Sequence, residues 1–304
     1  KVSEMLGERR VIASIRTKLL LISLTLTLIP LIALSVISNR FLQQSLQTRT
    51  NESLAVAAEQ TRLTVDNFFE TNLETLEIES SLGAMIRFLS LPEVERYNSQ
   101  EKLDAVSMLK SFQAKEKVYV PSYAILDHNG LNVYDTDITK SGTYEGATSY
   151  FKASAETAAS YAGPVEFKPR TGEAYITFIS PIKNESDQVI GYLRSKYDAR
   201  ILQDLISANT NLLGEGSYPI LLDENGLRLA DGFSPESTYR LISGITQEKH
   251  EALLEQSRIP DTLSLSNLAL PQNDLVVALN NRETNKFYTA YITQKNIPVL
   301  HSGV

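Results

Sequence analysis

Tyr123-Ala124-Ile125-Leu126-Asp127-His128-Asn129-Gly130-Leu131-Asn132-Val133-Tyr134 decides the fold. The chain repeats its pattern 96 residues on, as Pro219-Ile220-Leu221-Leu222-Asp223-Glu224-Asn225-Gly226-Leu227-Arg228-Leu229-Ala230. In both copies an apolar run enters an Asn-Gly turn and a second short run leaves it. Asn and Gly tolerate the positive φ that a tight turn between antiparallel strands demands, so each copy predicts a β-hairpin. Downstream, Glu173 to Ile182 reads as a strand, Asn184-Glu185-Ser186-Asp187 as a polar turn and Val189 to Ser195 as the returning strand. The second copy is followed by Phe287 to Ile292, Lys295-Asn296 and Ile297 to Leu300 in a similar order. Each half is therefore expected to be a hairpin, a helix-containing crossover and a second hairpin. That makes an antiparallel sheet of about five strands with helices to one side, an α+β arrangement. A period this long marks a duplicated module and not a solenoid.

Upstream of the first hairpin the pattern changes to a helical period. From residue 40 there is no Gly before Gly83 and no Pro before Pro92, and Leu, Ala, Glu, Gln and Thr dominate. This predicts one or two long helices, with Val65, Phe68, Phe69, Leu73 and Leu76 on an apolar face. After Leu91-Pro92 a further helix is expected from about Ser99 to Lys117. A helical segment that long packs along an elongated domain or pairs with a second copy of the chain. Asn51, Ser53 and Thr61 interrupt its heptads, so a free coiled coil is not supported.

From Leu19 to Asn39 no residue is charged, and Leu and Ile dominate. At about 1.5 Å per residue this run matches a bilayer's hydrocarbon core of roughly 30 Å. Ser23, Thr25 and Thr27 can bond back to their own helix carbonyls, and Pro30 kinks a membrane helix without forbidding it. Arg9, Arg10, Arg16 and Lys18 precede the run, whereas Arg40 alone stands close behind it. The positive-inside tendency places residues 1–18 in the cytoplasm and those after about 40 outside. A cleaved signal peptide is the competing reading. Against it, the run exceeds a typical signal h-region, and the nearest small-x-small site, Ala33-Leu34-Ser35, lies inside it.

Composition narrows the chemistry. The net charge of −7 argues against a phosphate-binding surface and hence against nucleic acid. With no Cys, disulfides, zinc-thiolate sites and thiol nucleophiles are excluded. With no Trp, any aromatic pocket must be built from the 14 Tyr and 10 Phe. His128, His250 and His301 are scattered, and there is no Gly-x-Ser-x-Gly, phosphate loop or His-x-x-Glu pair. The chain is thus expected to be no enzyme, with no metal and no cofactor.

A membrane helix, a long helix and two tandem PAS-like modules resemble the double Cache domain of bacterial transmembrane receptors. The resemblance covers residues 40 to 304. It rests on the hairpin Ser122 to Tyr134, Ser149-Tyr150-Phe151-Lys152-Ala153 opening a helix, Arg170-Thr171-Gly172 before a strand, and Val189-Ile190-Gly191-Tyr192-Leu193 leading to Tyr197-Asp198. After the cytoplasmic tail (1–18) and transmembrane helix (19–39) read from hydropathy and charge, it implies a helical stalk (40–118), a membrane-distal PAS-like module (119–209) and a membrane-proximal one (210–304). The proximal module is expected to be incomplete. A second membrane helix and a cytoplasmic output domain normally follow in such receptors, so this sequence is expected to be a fragment of one. One group of these domains recognises amino acids through Arg-x-Trp early in the crossover helix, a later Tyr, and an Asp after the last strand. Here Thr148 and Tyr150 stand at the first two positions, Val165 or Glu166 near the third, and only Asp198 agrees. An α-carboxylate would lack its bidentate arginine at Thr148.

The resemblance places a small-molecule pocket in the distal module, between the sheet and the crossover from about Asp135 to Gly163. Candidate ligand-binding residues are Tyr144, Tyr150, Tyr175, Asp135, Asp137 and Asp198. Each also has a purely structural reading. Tyr150-Phe151 can be a helix face packed on the sheet, Asp135-x-Asp137 turn chemistry, and Asp198 the cap of a helix from Ala199 to Asn209. The expected function is the extracytoplasmic, ligand-sensing input of a receptor at the cell membrane, forming a homodimer through its stalk. The competing class is an anchored interaction module that senses a partner protein.

Overall fold

The computed structural model describes residues 15–294 and 297–303. Arg9, Arg10 and the Lys295-Asn296 turn lie outside the described residues. The chain divides after Leu54 into two units.

The first unit is formed by the N-terminal part of helix α1 (Ile15–Ser80). Every residue from Leu19 to Asn39 is exposed. Thr25 and Thr27 donate their hydroxyls to the carbonyls of Leu21 and Ser23 at 2.9 and 3.0 Å, which removes those hydroxyls' need for water. Among the described residues, α1 is the one helix long and apolar enough, by length and composition, to cross a membrane.

The second unit begins with the remainder of α1, then α2 (Gly83–Ser90), α3 (Glu93–Arg96) and α4 (Gln100–Lys115). Ser99 starts α4 as the sequence predicts, its hydroxyl accepting from the Lys102 amide at 3.1 Å. Five strands follow: β1 (Ser122–Asp127), β2 (Asn132–Asp135), β3 (Tyr161–Phe167), β4 (Ala174–Lys183) and β5 (Val189–Asp198). They form one antiparallel sheet in the order β2-β1-β5-β4-β3. Helix α5 (Ser149–Thr157) stands in the crossover from β2 to β3, and α6 (Arg200–Ala208) follows β5.

Alternation along the strands sends one set of side chains to each face. Phe178 and Tyr197 point to the helical layer, where Phe68 and Phe69 of α1 meet them with ring centroids 5.3–6.0 Å apart. Leu76, Met85, Phe88, Leu109 and Phe112 complete that core. The other face carries Ala124, Leu126, Ile179 and Tyr192, covered by Tyr150 and Phe151 of α5. Phe151 meets Tyr192 edge-on at 4.8 Å.

The duplication holds at the level of single hydrogen bonds. Asp127 Oδ1 accepts from the amides of Asn129 and Leu131, and Asp223 Oδ1 from those of Asn225 and Leu227, all at 2.8–2.9 Å. Gly130 and Gly226 take φ of +89° and +78°. Both ladders slip at the same place, between Ile125 and Leu126 and between Leu221 and Leu222. A 3-10 turn follows each hairpin, Ile138–Lys140 and Pro235–Ser237.

The second half departs from the expected five strands. Its described strands form two separate hairpins, β6 (Ile220–Leu222) with β7 (Arg228–Asp231), and β8 (Tyr288–Gln294) with β9 (Ile297–Gly303). Between them lie α7 (Gln247–Glu255), α8 (Leu265–Leu268) and α9 (Asn273–Asn280). Where the first copy has β3, the second has Ile259-Pro260-Asp261, and a proline cannot donate to a ladder. This segment binds the first sheet's edge instead. Phe167 donates its amide to Ser257 O at 2.8 Å, and Asp261 accepts from the Arg170 amide at 2.9 Å.

Candidate functional site

The α5 face of the first sheet is the chemically loaded one. Strand β5 puts Tyr192, Arg194, Lys196 and Asp198 on that face in a row, two residues apart. Across β4, Ile179 stands beside Arg194, Thr177 beside Lys196 and Tyr175 beside Asp198. Across β1, Ala124 and Ser122 stand beside Arg194 and Lys196.

Arg194 is 1% exposed, and its charge is fully compensated. Its guanidinium donates to Asp135 Oδ2 at 2.6 Å, to Glu145 at 3.1 and 3.2 Å, and to Ser122 Oγ at 2.5 Å. Asn132 Nδ2 bridges Asp135 and Glu145 at 2.9 and 3.0 Å, and the Tyr150 hydroxyl donates to Glu145 at 2.6 Å. Burial disfavours the Arg194 charge, but Glu145 and Asp135 outweigh it and hold its pKa above the ordinary arginine value. Burial also pushes the Glu145 carboxyl up. Arg194 and Lys196 pull it further the other way, so it titrates below the usual carboxylate range. The Tyr150 hydroxyl is raised by burial and by Glu145.

Lys196 differs from Arg194. Its half-buried ammonium has no hydrogen-bond or ion-pair partner among the described residues. It lies 4.7 Å from the centroid of the Tyr175 ring and 6.0 Å from that of Tyr150. Burial and the neighbouring Arg194 charge push its pKa down to about 8. Directly opposite, the Thr177 hydroxyl is buried without a hydrogen-bond partner. Gly163 of β3 keeps the adjoining space small-walled, since a Cβ there would stand 3.6 Å from Tyr150 Cβ and 3.4 Å from Thr177 O. At the far end, Glu166 pairs with Tyr175 across β3–β4 and accepts from Ser149 Oγ at 3.0 Å. The result is an ammonium without a hydrogen-bond or ion-pair partner between two phenol rings, with an unpartnered hydroxyl on the adjoining strand.

The structure gathers Asp135, Tyr150, Tyr175 and Asp198 on this face, while Tyr144 and Asp137 lie apart. Tyr144 is 65% exposed. Asp137 caps the 3-10 turn, accepting from the Thr139 amide and hydroxyl. Asp198 accepts from the Arg200 amide at 2.9 Å and pairs with the Arg200 guanidinium at 2.6 Å, so it caps α6. Sequence reasoning missed Ser122, Asn132, Glu145, Arg194, Thr177 and Lys196. The available signal was two basic residues, Arg194 and Lys196, at alternate positions of one strand.

No protein-family model matches the chain, and no curated protein resembles it in sequence. Solved structures do match in fold. The sensor domain of the V. cholerae histidine kinase DctB aligns with a TM-score of 0.61 at 12% identity, covering 85% of this chain and 91% of that one. The sensory domain of the Campylobacter jejuni chemoreceptor Tlp3 with isoleucine bound gives 0.55 at 15% identity, over 86% and 89%. The Tlp3 domain in complex with L-valine gives 0.54 at 15% identity, over 86% and 90%. This chain carries the double Cache fold of such extracytoplasmic sensor domains.

Proposed function

We propose that this chain is the ligand-sensing input region of a bacterial transmembrane signalling receptor, with a small anionic molecule held on the α5 face of the distal sheet. The observation that carries the reading is the unpartnered Lys196 ammonium beside the Thr177 hydroxyl and between the Tyr150 and Tyr175 rings. Glu145 and Glu166 act on the Lys196 ammonium only from a distance, so a ligand carboxylate in direct contact with it removes more of the cost of taking it out of water. Lys196 thus offers the cation that Thr148 does not. The Tlp3 ligands, isoleucine and L-valine, carry such a carboxylate. Tyr150 and Tyr175 supply walls for the remainder of the molecule, and Asp135 acts through Arg194. Tyr144, Asp137 and Asp198 belong to the mouth of the site at most.

In this reading residues 1–18 are cytoplasmic, 19–39 cross the membrane and 40–118 form a dimerising stalk. Residues 119–209 are then the distal module and 210–304 the proximal one. Ligand binding favours one of two arrangements of the distal module, and differential affinity biases the helices that pack on its other face. Tyr197, next to Lys196 on β5, meets Phe68 of α1 with ring centroids 5.7 Å apart, so one strand carries residues of both faces.

A thermal-shift screen of the full chain in detergent micelles, against amino acids and small mono- and dicarboxylates, tests this. At least one compound is expected to raise the melting temperature by several degrees, and Lys196→Met to abolish the shift. If no compound shifts the wild type, the partner-protein reading replaces this one.

A further inference from the structure

On the face of the sheet opposite Lys196, where the helices pack, one carboxylate is buried. Helix α1 ends at Ser80, and Glu79 in its last turn is 3% exposed. Glu79 Oε1 accepts from Lys115 Nζ of α4 at 3.0 Å, and that lysine side chain is 62% exposed. Glu79 Oε2 is buried without a hydrogen-bond partner. The helix end adds to the cost, because last-turn carbonyls repel an anion. A carboxylate out of water needs both oxygens bonded and its charge paired. Glu79 meets these conditions at one oxygen, through a lysine that solvent screens.

The other groups around it supply no positive charge. The charged and titratable ones are Lys115 and Glu116 from the end of α4, Tyr123 from β1 and Tyr197 from β5. Burial raises both phenols above the ordinary tyrosine value, so they stay neutral. Glu116 acts on both and brings a second negative charge. Strand β4 contributes Ser180, whose hydroxyl lies 3.0 Å from that of Ser80 and ties the end of α1 to the sheet. Burial raises the Glu79 carboxyl above the usual range, and Lys115 and then Tyr123 pull it back without cancelling the rise.

We infer that Glu79 is a proton-operated latch: the neutral acid seats the end of α1 against the sheet, and the ionised one draws in water and loosens that joint. If residues after about 40 lie outside the membrane, as proposed above, the latch answers to external acidity. It needs no ligand at Lys196.

The sign is fixed by which state holds the proton. A carboxyl raised in the folded state stabilises fully below about 4.5, its ordinary value, and that stability is lost as pH rises through the folded value. The 304-residue chain in detergent micelles is melted between about pH 4.5 and pH 7.5, beside Glu79→Gln, Lys115→Met and Lys196→Met. Glu79→Gln keeps the neutral state at every pH. Relative to it, the wild type is expected to lose about 3–5 °C of melting temperature for each unit by which the folded carboxyl is raised. Lys115→Met removes the counter-ion at an exposed position and should extend the fall to higher pH. Lys196→Met should keep the wild-type fall, which separates the latch from the ligand site. Hydrogen exchange, corrected for intrinsic rates, should quicken with pH in residues 73–82 of the wild type and not of Glu79→Gln. If Glu79→Gln does not fold, wild type against Lys115→Met decides. Parallel profiles for wild type and Glu79→Gln, an unmoved profile in Lys115→Met, or a fall that vanishes in Lys196→Met would each overturn the inference.

Discussion

Arg194 and Lys196 sit two residues apart on one strand and face, yet their environments assign them opposite tasks. Arg194 is compensated by two buried carboxylates, and removing it leaves both without a counter-charge. Arg194→Met is therefore expected to cost about 3–5 kcal/mol in denaturant unfolding, the range for breaking one side of a buried ion pair. A loss below about 1 kcal/mol would show that water already solvates the cluster. Glu145 titrates below its ordinary value in the folded state, so its contribution is present above about 4.5, the ordinary value, and lost as the pH falls through the folded one.

Lys196 behaves in the reverse sense. Its folded value of about 8 lies below the ordinary 10.5, so between these pH values the unfolded chain binds more protons and stability rises with pH. Comparing wild type with Lys196→Met over pH 7–11 should isolate this rise, on the order of 1–3 kcal/mol. Parallel pH profiles would contradict it. Neither residue was legible as a site. Arg194 meets Asp135 and Glu145 across 59 and 49 residues of chain, and such meetings exist only once the sheet is paired. Asp137 and Asp198 were legible, but as caps, because a cap is made by residues two apart.

At the scale of elements, the hairpin turns carry the fold, and their chemistry is local enough to read directly. Asn-Gly with a preceding Asp fixes each turn through bonds within five residues, which is why both copies match expectation. The two glycines are nevertheless unequal. A Cβ on Gly130 would come within 2.5 Å of the Gly146 backbone, whereas on Gly226 it would meet the movable Ile242 side chain at 3.1 Å. Gly226→Ala is expected to cost about 1 kcal/mol, the penalty for a side chain at positive φ. Gly130→Ala should cost clearly more, because backbone must move. Equal losses in thermal melts would show that the Gly146 loop yields freely. The later strands of the second half, expected at Phe287 to Ile292 and Ile297 to Leu300, form as β8 and β9, but they do not join β6 and β7 in one sheet. Apolar period alone suggested a second sheet there, and Pro260 and the helices α7 to α9 occupy its place. Periodicity reports which face is buried, not which strand it will pair with.

For the whole molecule, the long helix, the duplicated hairpins and the first sheet were written in patterns that a single sequence displays, because each repeats over many residues. The pairing of a charged strand with a distant loop was not. The account therefore stands on one claim, the proposal that the α5 face of the first sheet is a receptor site organised by Lys196. Neighbours of the same fold are sensor domains of a histidine kinase and a chemoreceptor. The most direct measurement is titration calorimetry of the best carboxylate from the screen against the 304-residue wild-type chain, Lys196→Arg and Lys196→Met at pH 7. The account predicts that Lys196→Met loses about tenfold or more in affinity, as for a lost charge-assisted hydrogen bond, while Lys196→Arg retains most of it. Equal affinity for wild type and Lys196→Met would contradict it.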